Sequence, residues 1–276
     1  MNGRPQELAS IPGGNRRAGN LLINSDDGLQ RSLSSSTQRD RLREFLGQTS
    51  SALRGFSLAD APSSNLLSID SLSSAVMTSL DCLLGKGSIC ITLGDHFLTR
   101  FEESVFAGLW CHRDSQSGKL LALEVGVIPN AVTLRLNPRH ENAKKFPTPA
   151  TSTPAMKRLS QAIRRSFDCA DPVRIMNLNS AVFSQEELQL IDDQLDANQL
   201  YIRFSGYPSG QISDTPYGNI WRVRYFQGEN QPALDTLEIG YLPEMLQVPS
   251  ADLDQSLIRL EKLMLWLENG ENFSGN

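Results

Sequence analysis

The chain has 276 residues, 39% of them hydrophobic, with 26 basic against 31 acidic side chains and a formal net charge of -5. That apolar content excludes disorder throughout, and the negative balance excludes a generic nucleic-acid binder, which needs clustered positive charge to displace counterions. No apolar run approaches the roughly 20 residues of a membrane span, and residues 1–20 are too polar for a secretory signal, so a cytoplasmic setting without membrane insertion is expected.

Residues 1–40 are rich in Gly, Ser, Asn and Arg, cannot offset their ordering entropy, and are expected to form a disordered N-terminal tail. Residues 41–136 form a first unit. In it Val76, Leu80, Leu83 and Leu84 stand at helical spacing, and Gly85 and Gly87 supply a stop. Strand candidates follow around Ile89–Ile91, Phe106–Trp110 and Leu123–Val127. Residues 137–156, with Pro138, Pro147, Pro149 and Pro154 among Thr and Ala, describe a Pro/Thr-rich linker.

Residues 157–270 form a second unit. Leu188, Ile191 and Leu195 predict a helix with Ser184 as its N-cap and Glu186 and Glu187 in the positive first turn. Strands are expected over Leu200–Phe204, Ile220–Phe226 and Leu237–Tyr241, the last two joined by a turn over Gln227–Asn230. A final helix runs from Pro249–Ser250 to Gly270. Its stripe of Leu253, Leu257, Leu260, Met264 and Leu267 is expected to pack on the second sheet.

The two units look alike. Ile91 and Ile202, and Trp110 and Trp221, are separated by 111 positions; Glu124 and Glu238, Gly126 and Gly240, Pro129 and Pro243 by 114. The expected fold is therefore α+β: two repeated two-layer units, each a helix on a three-stranded antiparallel meander, with a C-terminal helix added.

The chemistry-bearing residues are sparse. The cysteines are Cys82, Cys90, Cys111 and Cys169, the histidines His96, His112 and His140, and no cysteine pair has zinc-knuckle or redox spacing. No metal or cofactor is expected. The residues that would serve one are Cys90, Cys111 and His112, if neighbouring strands brought them together. No nucleophile elbow, phosphate loop or dinucleotide fingerprint is present, so the chain is not expected to be an enzyme. Glu124 and Glu238 are expected on the solvent face of their strands.

A binding role asks less. Trp110 and Trp221 are either core residues or rigid anchors at the rim of each sheet. Arg222 and Arg224 share one strand face. Residues 228–272 hold nine acidic groups, and with Glu238, Pro243 and Glu244 they suit a basic partner.

The run Trp221-Arg222-Val223-Arg224, then Leu237-Glu238-Ile239, Leu242-Pro243-Glu244-Met245 and Pro249-x-x-Asp252-Leu253 resembles the HupH/HyaF/HoxQ family of hydrogenase expression and formation proteins. A fainter preceding copy is matched by Leu83-Leu84-Gly85-Lys86-Gly87 and Gly108-Leu109-Trp110. The resemblance covers roughly residues 65–268. Asp196-Ala197-Asn198 stands where the second copy's Gly-x-Gly is expected, and Cys111-His112 replaces more basic residues. The resemblance implies an accessory chaperone in maturation of a membrane-bound uptake nickel–iron hydrogenase. Its partners would be the iron–sulfur small-subunit precursor, held in the cytoplasm during assembly, and other maturation factors. A metal or cofactor carrier in the same pathway is the alternative it leaves open.

Overall fold

The structure, a computed structural model, describes residues 35–56, 64–93, 99–136, 153–165, 174–178, 183–195, 200–206, 208–217, 219–227 and 232–269. The expected tail up to position 34 and the expected linker from 137 to 152 lie outside the described residues. The same holds for His96, His140, Cys169 and most of the turn after Gln227.

Helix α1 (Ser36–Gly55) begins inside the stretch that composition assigns to the tail. The Ser35 hydroxyl accepts from the Gln38 amide while the Gln38 side chain accepts from the Ser35 amide. This capping box satisfies two otherwise orphaned donors. Serine-rich sequence reads as disorder by composition, whereas serine just ahead of an apolar stripe is a helix start. Here the stripe is Leu42, Phe45, Leu46 and Leu53.

After β1 (Asn65–Ser68) comes α2 (Ser74–Leu84), the helix expected from Val76, Leu80 and Leu83. It is capped by Ser73 and stopped by Gly85 at φ +54°, a region that disfavours a side chain. An antiparallel meander follows: β2 (Ile89–Leu93), β3 (Thr99–Glu103), β4 (Leu109–Asp114) and β5 (Leu120–Val125), then α3 (Asn130–Leu136). The second half runs α4 (Pro154–Arg165), β6 (Arg174–Asn177), α5 (Gln185–Leu195), β7 (Leu200–Phe204), β8 (Ser209–Asp214), β9 (Ile220–Phe226) and β10 (Pro232–Ile239). A 3-10 turn (Glu244–Leu246) and α6 (Ser250–Asn269) complete it. Proline at the first position of α4 loses no helical hydrogen bond, so the expected linker gives way to helix at residue 154.

All ten strands among the described residues belong to one antiparallel sheet, in the order β1-β5-β4-β3-β2-β7-β8-β9-β10-β6. The expected three-stranded meanders are thus four-stranded, each with a further strand at its outer edge. The extra members, β3 and β8, read Thr-Arg-Phe-Glu-Glu and Ser-Gly-Gln-Ile-Ser-Asp. One large apolar residue apiece leaves no alternation to detect. The halves join through β2 and β7, where Ile91 faces Ile202.

Helices α1, α2, α4, α5 and α6 lie on one side of the sheet in two groups, and α3 lies on the other. Helices α1, α2 and α6 cover Leu109, Cys111, Leu123 and Val125, while α4 and α5 cover Ile220, Leu237 and Ile239. Helix α6 therefore packs on the first half, not on the second as expected. Its Leu253, Leu260, Leu263 and Leu267 share a core with Leu42, Phe45, Leu46 and Leu53 of α1. Without α6 that stripe of α1 would face water, whereas the second half already has two helices of its own. The approach is close: a side chain on Gly108, at φ +78°, would put its Cβ 2.5 Å from Leu253 Cδ2. Arg259 donates to the Val105 carbonyl at 3.0 Å, and Arg43 meets Glu268 at 2.9 Å.

The opposite side carries one apolar cluster drawn from both halves. It includes Ile91, Phe101, Trp110, Ile202, Ile212 and Trp221, covered by Ile128 and Val132 and by Leu242 and Leu246.

Candidate functional site

Strand β4 sets Trp110 opposite Glu124 of β5, and β9 sets Trp221 opposite Glu238 of β10. Both indoles are only 1% exposed. Trp110 Nε1 donates to the Gly126 carbonyl at 3.0 Å and Trp221 Nε1 to the Gly240 carbonyl at 3.1 Å. A buried ring whose one donor is already used within the fold is a core residue, which corrects the rim-anchor reading.

The glutamates are buried too, at 2% and 0% exposure, and not on a solvent face. Glu124 accepts from the Asn130 amide at 2.6 Å, and Glu238 from the Glu244 amide at 3.0 Å. Each carboxylate thereby ties down the turn that follows Pro129 or Pro243. A buried carboxylate is tolerated only with such partners. The two then diverge. Burial pushes Glu124 up, but hydrogen bonds from His112, Ser64 and the Asn130 amide outweigh it and hold the group below its ordinary value. His112 Nε2 lies 2.6 Å from Glu124. Burial also pushes Glu238 up, and there the Glu244 amide and Tyr225 hydroxyl do not compensate, so it stays raised.

Arg222 is not a free surface cation. It reaches Asp235 through Nε at 3.1 Å and Nη2 at 2.7 Å, and it also bonds Asp192 of α5. Arg113 makes the corresponding sheet-to-helix tie in the first half, bonding Asp81 of α2 at 3.1 Å and Glu102 at 2.7 Å. Asp81 and Asp192 stand 111 positions apart, the spacing of Ile91 and Ile202, a match that the search for apolar anchors passes over. Arg224 contacts Asp235 at 3.4 Å and keeps 37% of its side chain exposed.

The expected acidic face is thinner than its composition. Asp235 and Glu238 are buried, Glu261 pairs with Arg54, and Glu268 pairs with Arg43. Glu244 and Asp254 are exposed. Pro243 is buried beneath Glu244. Nearby, Tyr241 is 39% exposed with its hydroxyl beside Thr133 of α3, and Leu134, next along that helix, is 60% exposed.

The low-ranked metal candidates are not brought together. Cys90 and Cys111 face the helix-bearing side on either side of Glu102, whereas His112 points to the other side, edge-on to Phe101. Burial pushes the Cys111 thiol up to about 12, so it holds its proton at neutral pH. Among the described residues no group of three or more His, Cys, Asp or Glu is arranged to hold a metal ion.

Between the two helical groups the helix-bearing side of β3, β2, β7 and β8 borders an open cleft of about 600 Å3. Lys86, Arg100, Glu102, Arg203 and Gln211 line it. Sequence reasoning missed Lys86, Arg100 and Arg203, because single cations spread over a turn and two strands leave no local signal.

Residues 151–267 match the family described as the HupH hydrogenase expression protein, C-terminal conserved region. The hydrogenase expression/formation protein HupQ of Azotobacter chroococcum mcd 1 is 27% identical over 213 residues, covering 74% of this chain and 75% of its own length. The matched region and the relatives support the hydrogenase expression/formation protein family. The HupH protein of Rhizobium leguminosarum bv. viciae is 26% identical over 65% of this chain and 66% of its own. The hydrogenase-1 operon protein HyaF of Escherichia coli (strain K12) is 25% identical over 68% of each. A solved structure of the HupH protein from Thiobacillus denitrificans ATCC 25259 shares 12% identity. That match covers 41% of this chain and 92% of the other at a TM-score of 0.36. The names of the sequence relatives support a role in hydrogenase maturation. Among the described residues no helix is long and apolar enough to cross a membrane.

Proposed function

We propose that this protein is a non-enzymatic chaperone in maturation of a membrane-bound uptake nickel–iron hydrogenase. In this reading it holds the iron–sulfur small-subunit precursor in the cytoplasm during assembly. The observation that carries the reading is the surface formed where α3 meets the turn after β10. Leu134 and Tyr241 there offer exposed apolar area, and Glu244 stands close by in sequence and exposed. An apolar patch with a carboxylate suits a precursor segment that carries arginines followed by an apolar stretch. The duplicated scaffold belongs to the same reading. It is supported by the order strand, helix, four strands in each half, and by the buried glutamate that ties down the turn after each.

Binding of the purified chain to the small-subunit precursor, with and without its twin-arginine segment, tests this. The precursor is expected to bind, and the combined Leu134→Asp, Tyr241→Ala and Glu244→Lys substitutions are expected to weaken it at least about tenfold. Equal binding by that variant removes the proposed surface, and no binding at all removes the chaperone role. Stoichiometric iron or nickel on anaerobically purified protein would favour a metal carrier instead.

A further inference from the structure

The strip of sheet between the helical groups, uncovered among the described residues, has a property that the proposed role does not use. On its helix-bearing side one cross-strand row runs Glu102, Cys90, Arg203, Gln211 and Arg224, and Arg100 stands in the adjoining row. The buried carboxylate at the near end of the row is answered from within the fold: Glu102 lies 2.7 Å from Arg113 Nε and 3.2 Å from Arg100 Nε. At the far edge Asp235 is held mainly by Arg222. Arg203 is exposed and makes no ion pair among the described residues. Lys86 keeps 72% of its side chain exposed at the near end. A chain of net charge -5 thus presents a positive strip along its central strands.

We propose that this cleft binds an acidic segment of another polypeptide in extended form, reading carboxylates about three residues apart. The spacing follows from the strand order. Arg100, Arg203 and Arg224 sit on β3, β7 and β9, each separated from the next by one intervening strand. At about 4.8 Å per strand the steps are about 10 Å, close to three residues of polyproline chain, whose threefold repeat returns every third side chain to one face. A small monocarboxylate would meet only one guanidinium at a time. The chain's two long segments outside the described residues do not fit: residues 1–34 carry four arginines against three acidic residues, and residues 137–152 carry three Lys or Arg against one Glu. Extended backbone laid over a sheet face gains its affinity from such charge-assisted bonds, and that affinity falls with salt.

The test needs only the full-length protein and synthetic probes, so it stands or falls separately from the hydrogenase-precursor reading. A fluorescent nonapeptide with Asp at positions 2, 5 and 8 among Gly and Ser is compared by anisotropy with its Asn counterpart and a single-stranded RNA nonamer. The Asp peptide is expected to bind at least about tenfold more tightly than the Asn peptide, and less tightly as salt rises. Arg203→Glu with Arg224→Glu is expected to remove at least about tenfold of that affinity. Arg203→Gln alone should weaken binding while leaving the urea midpoint unchanged, which separates lost binding from lost folding. Equal affinity for the Asn peptide, undiminished binding by the charge-reversed variant, or preference for the RNA would each overturn the proposal.

Discussion

Ile91 of β2 and Ile202 of β7 face each other across the seam where the two halves of the sheet join. Both are fully buried. The neighbouring pairs are arranged evenly about them: Ile89 faces Phe204 and Leu93 faces Leu200. Residue 202 also stands at the 111-residue spacing from residue 91 that Trp110 and Trp221 share. Main-chain pairing and side-chain packing at this seam make the halves one sheet.

Cutting either isoleucine to alanine is therefore expected to cost about 2–5 kcal/mol, through lost burial and the cavity left behind. The two losses should not add. Opposed residues in one cavity couple by about 0.5–3 kcal/mol. Urea midpoints of Ile91→Ala, Ile202→Ala and the double variant measure this, and strict additivity would show that the two side chains do not share a packing site.

The corresponding glutamates predict opposite responses to pH. Glu124 is held below its ordinary value of 4.5, so its stabilisation is complete above that value and is lost as pH falls through the lowered one. Glu238 is raised above 4.5, so its stabilisation is complete below that value and is lost as pH rises through the raised one. Glu124→Gln is expected to lose about 1–3 kcal/mol near neutral pH, and the deficit should shrink in acid. Glu238→Gln keeps an acceptor for the Glu244 amide and should gain on the wild type as pH rises. Urea titrations from about pH 4 to about pH 8 decide it. Parallel curves for both variants would contradict the different environments of the two carboxylates.

What could be read without coordinates follows from where the physical signal is local. Val76, Leu80 and Leu83, or Leu188, Ile191 and Leu195, mark helices because a stripe repeats every three or four residues and a cap stands at the end. Strand β9 is equally legible, since Trp221, Val223 and Tyr225 alternate with Arg222 and Arg224. Strands β1 and β6 have four residues each, too few for any period. The partner of α6 is a long-range fact that a heptad-like stripe cannot name. The burial of Glu124 and Glu238 was hidden for a different reason. A carboxylate among apolar strand residues ordinarily faces water, and the contrary clue lay in the shared Glu-x-Gly-x-x-Pro spacing, which sets a turn where the carboxylate can cap it. The positive cleft has no linear trace at all, because its cations come from different strands.

The packing of α6 on α1 predicts which part of the molecule loosens when α6 is damaged. Leu260 is fully buried in the core that includes Leu42, Phe45 and Leu46 of α1. Leu260→Ala should cost about 2–5 kcal/mol. Amide hydrogen exchange should then quicken in both α1 and α6, because two helices that bury each other's stripe open as a unit. Helices α4 and α5 belong to a separate cluster with Ile163 and Ile191, so their protection should fall only with global stability. Ile191→Ala supplies the reciprocal control: it should loosen α4 and α5 first and leave the α1–α6 pair protected. If Leu260→Ala instead exposed α4 and α5 ahead of α1, the C-terminal helix would be serving the second half of the sheet, contrary to the packing seen here.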